Sequence, residues 1–420
     1  MKRIFFIFPI LFAVLLCGCS VQVRYAGAPV STSSFPLTAE PAEQAAASKR
    51  TEPAAFAKEG EIRAVWVSYT ELNPEKLKSE PDFRRRTDQL LAPMKALSVT
   101  DVFLQVRPFA DAIYPSARFA SSSAVVRRRG DPLPFDFLAV FLSRTKEAGM
   151  RVHAWINPYR VSNSAKSLSA FASDPAVGPL LKLSGPPCVR LWNGGVYLDP
   201  SSEAVQKLIV GGVCELLGSY DLAGIHIDDY FYPTEAPSFD KQSYEAYLSG
   251  GGKAELAAFR RANVSSLLRR LYQTVKSFGA EKVFSVSPAA DIEKNENALG
   301  ADVRLWGSKD GFCDWLIPQL YFGFCHETRP FETSARAWRN LCTNKNVRLL
   351  AGLAAYKVGK EDAYAGSGKG EWTENPALLA EQVQVLRREG YDGFALFSST
   401  FLNFDKKLSA KVLKNLKDVL

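Results

Sequence analysis

The sequence predicts an α/β protein built as a closed (β/α)8 barrel, preceded by a signal peptide and a flexible tether. From residue 61 onward, short apolar runs alternate with amphipathic stretches of helical length, which indicates parallel strands joined by right-handed crossovers. Eight such runs occur, and eight units favour a closed barrel over an open sheet. With 420 residues, 47% of them apolar, the chain is long enough to bury one large core beside extra segments.

The first nineteen residues have the pattern of a bacterial lipoprotein leader. Lys2 and Arg3 precede an apolar run over residues 4–16, which is too short for a retained transmembrane helix but suits a secretory signal peptide. The run ends in Leu-Cys-Gly-Cys at 16–19, which resembles a lipobox. Residues 1–18 are therefore predicted to be removed, and Cys19 to carry a lipid that holds the protein at a membrane. An ordinary signal peptide that is cut elsewhere is the alternative.

Residues 19–60 are predicted to be the lipidated cysteine and a flexible linker. Ala, Pro, Ser, Thr and Glu dominate this segment, which cannot bury enough apolar surface to offset the entropy of ordering. The predicted location is the cell envelope: the outer membrane and periplasm of a Gram-negative organism, or the surface of a Gram-positive one. The net charge of +8 is scattered along the chain. No basic helix carries interleaved aromatic residues, so nucleic acid is not an expected partner.

Residues 61–420 are assigned to the barrel. The predicted strands are 63–69, 101–108, 151–158, 224–233 with its exit loop, 282–288, 314–322, 348–356 and 393–398. The predicted helices are 82–97, 135–148, 201–217, 254–278, 332–342 and 376–388. Ser201 or Ser202 is expected to cap the third helix, with Glu203 in its first turn.

Several strands place polar and aromatic side chains on one face and aliphatic side chains on the other. The polar faces carry Phe103, Gln105 and Arg107; His153, Trp155 and Asn157; and His226 and Asp228. This alternation is unusual for parallel strands that are buried on both sides. It fits strands whose inner face becomes polar towards one mouth of the barrel, where barrel enzymes place their chemistry.

Asp228 and Asp229 are the strongest catalytic candidates. They are adjacent at the end of the fourth predicted strand, and like charges this close cannot both ionise cheaply, so one pKa should rise. A carboxyl with a raised pKa can protonate a glycosidic oxygen near neutral pH. The alternative is a structural loop in which one Asp caps a helix or pairs with Arg107.

Other side chains at predicted strand ends are expected to bind substrate. Arg107 could hold a carboxylate or hydroxyls, Trp155 could stack on a sugar, and Trp372 lies in a glycine-rich loop that could cover the cleft. Arg107 and Trp155 also have structural alternatives, and His226 is expected to be a satisfied core histidine. The full predicted set is Gln105, Arg107, Asp111, Trp155, Asn157, Tyr159, Tyr230, Gln319, Tyr321 and Trp372.

No cofactor or metal is expected. The glycine-rich loop before Trp372 lacks the strand–loop–helix context and the Lys-Ser/Thr ending of a phosphate-binding loop. The three histidines at 153, 226 and 326 form no zinc motif. The expected partners are a membrane, through the lipid anchor, and a glycan substrate that the acid pair and the aromatic side chains at the strand ends would bind.

Several short motifs occur in a fixed order along the chain. They are RAVWVS at 63–68, QVRP at 105–108, HAWINPYR at 153–160, GIHIDDYFYP at 224–233, SVSP at 285–288, PQLY at 318–321 and GFALFS at 393–398. Together they resemble the bacterial glycosyl-hydrolase-like family 10 (DUF187-type) proteins over about residues 61–405. The resemblance implies a barrel-fold glycoside hydrolase of the cell envelope, with Asp228 and Asp229 in an acidic motif after the fourth strand. The segments 117–129 and 289–295 depart from the family pattern and leave the exact substrate open.

The predicted function is hydrolysis of a β-linked, N-acetylated glycan such as peptidoglycan strands. The acid pair and an inward Tyr321 resemble substrate-assisted hexosaminidases, in which the 2-acetamido group of the sugar is the nucleophile. Asp228 would orient that group, Asp229 would act as acid and base, and Tyr321 would hydrogen-bond the acetamide. A conventional two-carboxylate mechanism with Asp111 or Asp291 as partner is the alternative. A non-catalytic glycan-binding lipoprotein and an envelope scaffold are the other two functional classes.

Overall fold

The computed structural model describes residues 60–72, 79–403 and 407–420. The expected signal peptide, the Cys19 lipid site and the linker up to residue 59 lie outside the described residues. Within the described ranges, no helix combines the length and the apolar character needed to cross a bilayer.

Eight parallel strands close into a barrel at the centre of the molecule. In chain order they are β1 (Ile62–Val67), β2 (Asp101–Arg107), β3 (Arg151–Ile156), β4 (Gly224–Ile227), β5 (Val283–Val286), β6 (Trp315–Leu316), β7 (Arg348–Leu353) and β8 (Gly393–Leu396). Each strand pairs with the next, and β8 pairs with β1. The predicted (β/α)8 class and the order of its strands are confirmed. β6 is shorter than predicted because Pro318 has no amide hydrogen to donate to a neighbouring strand.

Helices fill the connections and cover the outside of the barrel. The longer ones are α1 (Glu80–Ala96), α2 (Phe137–Glu147), α3 (Glu203–Ser219), α4 (Leu256–Ser277), α5 (Phe331–Leu341), α6 (Leu378–Arg388) and α7 (Lys407–Val419). Between β5 and β6, two short helices, Ile292–Asn297 and Val303–Ser308, replace a long one. Among the described residues, the remaining short α-helices are Val177–Leu181, Lys241–Ser249 and Glu371–Glu374.

The start of α3 agrees with the sequence pattern. The side chain of Ser202 accepts a hydrogen bond from the backbone N of Val205, and Glu203 lies in the first turn. Both features stabilise a helix N-terminus, because they satisfy a free amide and oppose the helix dipole.

Aromatic rings pack inside the barrel beneath its C-terminal mouth. The ring of His226 stacks on Phe103 with a centroid separation of 4.2 Å. Trp66 Nε1 donates to His226 Nε2 at 3.0 Å, and His226 Nδ1 lies 2.8 Å from Ser285 Oγ. Burial lowers the pKa of His226 well below its usual range, so the ring is neutral. His226 is the satisfied core histidine that the sequence indicates.

Two small sheets that the sequence analysis does not predict extend the mouth of the barrel. The β3–α3 connection forms an antiparallel sheet from Arg160–Ser162, Val189–Trp192 and Gly195–Leu198. In the β2–α2 connection, Asp111–Ala112 pairs with Ala120–Ser121. The first sheet matters for the site, because it begins at Arg160, three residues beyond Asn157 at the end of β3.

Candidate active site

The C-terminal ends of all eight barrel strands surround a groove of about 420 Å³. Acidic, amide and aromatic side chains meet there, at the end of the barrel where enzymes with this fold place their chemistry. In strand order, the lining includes Tyr69 and Thr70, Gln105, Trp155, Asp228 and Asp229, Ser287, Gln319 and Tyr321, Tyr356, and Phe397.

Asp228 lies at the base of this groove with only 3% of its surface exposed. Asn157 Nδ2 lies 2.6 Å from each of its carboxylate oxygens, and Trp155 Nε1 donates to Oδ2 at 3.1 Å. The backbone N of Tyr230 donates to Oδ1 at 3.4 Å. These donors fix the plane of the carboxyl group and stabilise its charged form.

Two other side chains fix the orientation of the Asn157 amide group. Gln105 Nε2 donates to Asn157 Oδ1 at 2.6 Å, and Arg160 Nη2 donates to the same oxygen at 3.1 Å. Because arginine can only donate, the oxygen of the Asn157 amide must face Arg160, and its nitrogen must face Asp228. Asn157 is 1% exposed, so it supports Asp228 from beneath the groove surface.

Asp229 is partly exposed and faces the same groove. The side chain of Gln319 hydrogen-bonds to it. Gln319 is fixed in turn, because its Nε2 donates to the backbone O of Ser287 at 3.1 Å. Asp229 is therefore the member of the pair that is more accessible from the groove.

Burial raises the pKa of both carboxyls. For Asp228, the charge of Asp229 is the next cause of the rise. The positive charge of Arg160 opposes the rise at both residues. The pair therefore holds a proton above the pH range in which isolated aspartates release theirs, which is the requirement for a general acid near neutral pH.

Aromatic rings form the walls beside the acid pair. The ring of Tyr321 stacks on Phe397 and meets Tyr356 edge to face, with centroid separations of 5.8 Å in both cases. Burial raises the pKa of Tyr321 well above its usual range, so its hydroxyl stays protonated and can donate a hydrogen bond. Tyr230 also lines the groove. It is 49% exposed, and the guanidinium of Arg160 lies 4.1 Å from the centre of its ring.

The structure brings most of the predicted site residues together. Gln105, Trp155, Asp228, Asp229, Tyr230, Gln319 and Tyr321 line the groove, and Asn157 lies directly beneath it. Their roles in binding or catalysis stay predictions. In the described part of the chain, no three His, Cys, Asp or Glu side chains are grouped as metal ligands would be.

Two predicted binding residues, Arg107 and Tyr159, point away from the groove. The pairing of β2 with β3 shifts in register between Gln105 and Arg107, so these two residues do not share a face as the strict alternation predicts. Arg107 packs over the ring of Phe119 at 4.3 Å, on the outside of the barrel. Tyr159 is fully buried, and its pKa is raised by burial and by the charge of nearby Asp199. Neither side chain lines the groove, where the sequence analysis expected both of them.

Asp111 and Trp372 are also buried away from the groove. Asp111 is 1% exposed and accepts a hydrogen bond from the backbone N of Phe109 at 3.0 Å. Arg129 lies 3.9 Å from its carboxylate. Trp372 is 1% exposed and packs in the main hydrophobic core rather than over the cleft. Neither side chain lines the groove as predicted, because tertiary packing buries both of them elsewhere.

Several groove residues are absent from the predicted set. Each of three of them, Tyr69, Tyr356 and Phe397, follows the end of a strand by one to three residues. That position in the sequence indicates a side chain at the mouth of the barrel. Arg160 lines the groove and contacts Asn157. Arg160 is the last residue of the HAWINPYR motif in the sequence. The orientation of its side chain depends on the antiparallel sheet, which the sequence analysis does not predict.

Comparison with known proteins gives consistent matches. The model of a family described as glycosyl hydrolase-like 10 matches residues 61–366. Glycosyl hydrolase DigH from Escherichia coli (strain K12) is 29% identical over 427 aligned residues, which cover 93% of this chain and 91% of the relative. Glycosyl hydrolase YngK from Bacillus subtilis (strain 168) is 30% identical over 325 residues, which cover 71% of this chain and 61% of the relative.

Solved structures show the same fold at low sequence identity. The glycoside hydrolase domain of PgaB (BpsB) from Bordetella bronchiseptica has a TM-score of 0.57 and 15% identity, covering 86% of this chain and 99% of that domain. Alpha-L-fucosidase isoenzyme 2 from Paenibacillus thiaminolyticus has a TM-score of 0.53 and 15% identity, covering 86% of this chain and 49% of that one. At these identities the likeness shows the fold alone.

Proposed function

Because this chain belongs to the glycosyl hydrolase-like 10 family, we propose that it is a glycoside hydrolase that cleaves a β-linked, N-acetylated glycan such as peptidoglycan strands. The observation that carries the proposal is the acid pair, buried Asp228 and partly exposed Asp229, in a groove with aromatic walls. Aromatic faces suit the apolar faces of sugar rings, and the surrounding amide and carboxyl groups suit their hydroxyls.

The surroundings of the two carboxyls support different roles for them. Asp228 is held on both oxygens by Asn157 and Trp155, and a carboxylate still has lone pairs free to accept an acetamide N–H. Asp229 is more exposed and has fewer donors, which suits proton exchange with substrate and water. We therefore assign Asp228 to orienting the 2-acetamido group and Asp229 to acid and base catalysis.

The proposed reaction has two steps. In the first, Asp229 gives its proton to the glycosidic oxygen as the bond from that oxygen to C1 breaks. The acetamido oxygen of the same sugar bonds to C1, and Asp228 accepts the acetamide N–H as positive charge develops. In the second step, the Asp229 carboxylate takes a proton from water, the water oxygen adds to C1, and the bond from the acetamide to C1 breaks. Tyr321 can donate a hydrogen bond to the acetamide.

The conventional two-carboxylate mechanism has less support from the geometry. Asp111 is buried beside Arg129 and does not line the groove. Asp291 lies in a neighbouring part of the surface, where Arg329 Nη2 is 2.5 Å from its Oδ2. Neither carboxylate lines the groove that holds the acid pair, where a second catalytic carboxyl group would have to lie.

We also propose that the protein acts in the cell envelope, held by a lipid on Cys19. This proposal rests on the leader pattern and the composition of residues 19–60, which lie outside the described residues. Incorporation of labelled palmitate into the full-length protein, and its loss in Cys19→Ser, is the expected result. Palmitate labelling that persists in Cys19→Ser would contradict it.

The function is tested with purified mature protein on glycan strands, with and without stem peptides. New reducing ends, absent with Asp229→Asn, would support the hydrolase. Binding without turnover would instead indicate a glycan-binding lipoprotein, and neither binding nor turnover would indicate a scaffold.

A further inference from the structure

Helix α7 presents a row of lysines to solvent. Lys411, Lys414 and Lys417 are exposed and follow one another at intervals of three residues, so they lie along one side of the helix. Val412 and Leu416 are buried in the main hydrophobic core. At about 3.6 residues per turn, the buried side and the basic side of α7 are opposite each other. The packing of α7 on the barrel therefore leaves its three lysines, here called the lysine row, at the surface.

The charge of the lysine row is not neutralised by its described surroundings. Asp418 is the one exposed carboxylate that the structure describes on α7, so the exposed charges of the helix sum to 3 − 1 = +2. No carboxylate of a described residue lies within 4.0 Å of the three ammonium groups. Exposed lysines on other helices differ, since Lys207 and Lys241 lie 3.9 Å and 3.7 Å from a glutamate four residues away. A row of one sign of charge attracts an anionic partner.

The segment that leads into β1 joins the barrel beside the last turn of α7. Arg387 of α6 contacts both, because its Nε donates to Glu61 at 2.6 Å and its Nη1 donates to the backbone O of Val419 at 2.6 Å. Arg63 of β1 makes a second link, in which its Nη2 donates to the O of Leu420 at 2.7 Å. The attachment point of residues 19–60 is therefore one arginine side chain away from the end of α7.

This position brings a membrane to the same side of the barrel as the lysine row. A lipid on Cys19 would hold the barrel to the bilayer through the attachment point, and tethering raises the concentration of the bilayer surface around the part that is tethered. The groove lies at the C-terminal strand ends, whereas β1 begins at the attachment point. Anionic phospholipids carry the charge opposite to that of the lysine row, and each lysine close to such a surface strengthens the binding.

We propose that the lysine row of α7 binds the phosphate groups of anionic phospholipids and holds the side of the barrel against the membrane, with the groove open to the surroundings. The surface lies outside the groove, so the inference goes beyond the proposed glycan hydrolysis. It rests on the proposed lipid at Cys19 only for the side on which the membrane lies. One lipid anchor and one basic surface together form the two signals that give stable membrane attachment.

The test measures sedimentation of the mature chain with lipid vesicles at low ionic strength. Residues 20–420 are produced without the leader and without lipid, so binding depends on the protein surface alone. One set of vesicles is phosphatidylcholine, and the other is phosphatidylcholine and phosphatidylglycerol in equal amounts. The variant combines Lys411→Gln, Lys414→Gln and Lys417→Gln, which removes the charge of the lysine row and keeps polar side chains at the surface.

The matched control removes the same charge from another part of the surface. It combines Lys166→Gln, Lys182→Gln and Lys253→Gln, three exposed lysines in the connections that follow β3 and β4. The α7 variant should bind the phosphatidylglycerol vesicles roughly a hundredfold more weakly than wild type, about fivefold for each lysine. The control should bind them within about twofold of wild type, and added salt should weaken wild-type binding. Neutral vesicles should bind none of the three proteins.

An equal loss of binding in the α7 variant and the control would show that net charge alone matters, and would overturn the inference. So would failure of wild type to bind the phosphatidylglycerol vesicles, including the case in which the lysine row binds soluble polyglutamate instead.

Other measurements separate this inference from the proposed function. The α7 variant should hydrolyse soluble glycan strands at the wild-type rate, because the lysine row is outside the groove. Vesicle binding through the lysine row without palmitate on the full-length protein would keep the inference and reject the lipid on Cys19. Palmitate labelling that depends on Cys19, with no difference in vesicle binding between the α7 variant and the control, would keep the anchor and reject the inference.

Discussion

Asn157 presents one amide nitrogen to both carboxylate oxygens of Asp228, at 2.6 Å from each. Behind it, the Asn157 oxygen receives hydrogen bonds from Gln105 and Arg160. The orientation of Asp228 therefore depends on side chains from β2, from the end of β3 and from the small sheet that follows. Catalysis by the acid pair should be sensitive to all of them.

Replacing Asn157 tests this dependence directly. Asn157→Ala removes both amide contacts to Asp228, and we expect kcat to fall by about 10- to 100-fold, because a hydrogen bond to a charged group contributes about 1.5–3 kcal/mol. Steady-state hydrolysis of glycan strands measures the effect. The control is Asn346→Ala, which removes an amide contact to Asp310 on an exposed loop before β7. If both variants hydrolyse at similar rates, the positioning role of Asn157 is excluded.

Replacing Arg160 should change the pH dependence of the reaction as well as its rate. The charge of Arg160 lowers the pKa of both Asp228 and Asp229. Arg160→Gln should therefore raise both pKa values and move the alkaline limb of the kcat/KM profile to higher pH. Arg160→Lys keeps the charge but loses the contact to Asn157, so it should lower kcat with a smaller pH shift. A lower rate with an unchanged profile in both variants would indicate a structural role alone.

The wild-type pH profile follows from the raised pKa values of the pair. The acid must be protonated to act. Above its pKa, which burial raises over the usual aspartate value of about 4, kcat/KM should fall tenfold per pH unit. On the acidic side, protonation of the orienting carboxylate should also lower the rate, which gives a bell-shaped profile. The measurement is initial rate from pH 3 to pH 10. A profile that is flat across neutral and alkaline pH would contradict general acid catalysis by this pair.

Glu71 gives a prediction about stability rather than activity. It is 8% exposed and hydrogen-bonds with Ser399, and burial raises its pKa from 4.5 to about 7. The Glu71 carboxyl group therefore binds a proton more tightly in the folded protein than in the unfolded chain. The free energy of unfolding should fall as pH rises from 4.5 to about 7, and should stay lower above that range.

Glu71→Gln removes the free-energy cost of ionising this buried carboxyl group. We expect the variant to be more stable than wild type by about 2 kcal/mol at pH 8.5, with little or no gain at pH 4. Denaturant unfolding at the two pH values measures the difference, and Glu281→Gln, an exposed glutamate before β5, is the control. An equal effect of Glu71→Gln at both pH values would show that the carboxyl is not protonated in the folded protein.

The barrel could be predicted because each of its strands is recognisable from a short stretch of sequence. Each strand is a short apolar run, and the polar inner residues near the mouth mark the ends of β2, β3 and β4. Arg107 could not be placed, since one register shift in β2 changes the face of every following residue. Trp372 could not be placed either, because whether a loop tryptophan covers a cleft or enters the core is decided by distant packing. The role of Arg160 depends on a sheet formed by the β3–α3 connection, whose strands are short and carry a weak pattern.

The central claim is that Asp228 and Asp229 hydrolyse a glycan. Its most direct measurement is the rate of reducing-end release from glycan strands by wild type, Asp228→Asn, Asp229→Asn and Asp221→Asn, with folding confirmed by circular dichroism. Asp221 is 85% exposed and precedes β4 at the opposite end of the barrel. We predict that each variant of the pair loses at least about a hundredfold in rate, while Asp221→Asn retains the wild-type rate. Wild-type rates from both Asp228→Asn and Asp229→Asn would contradict the account.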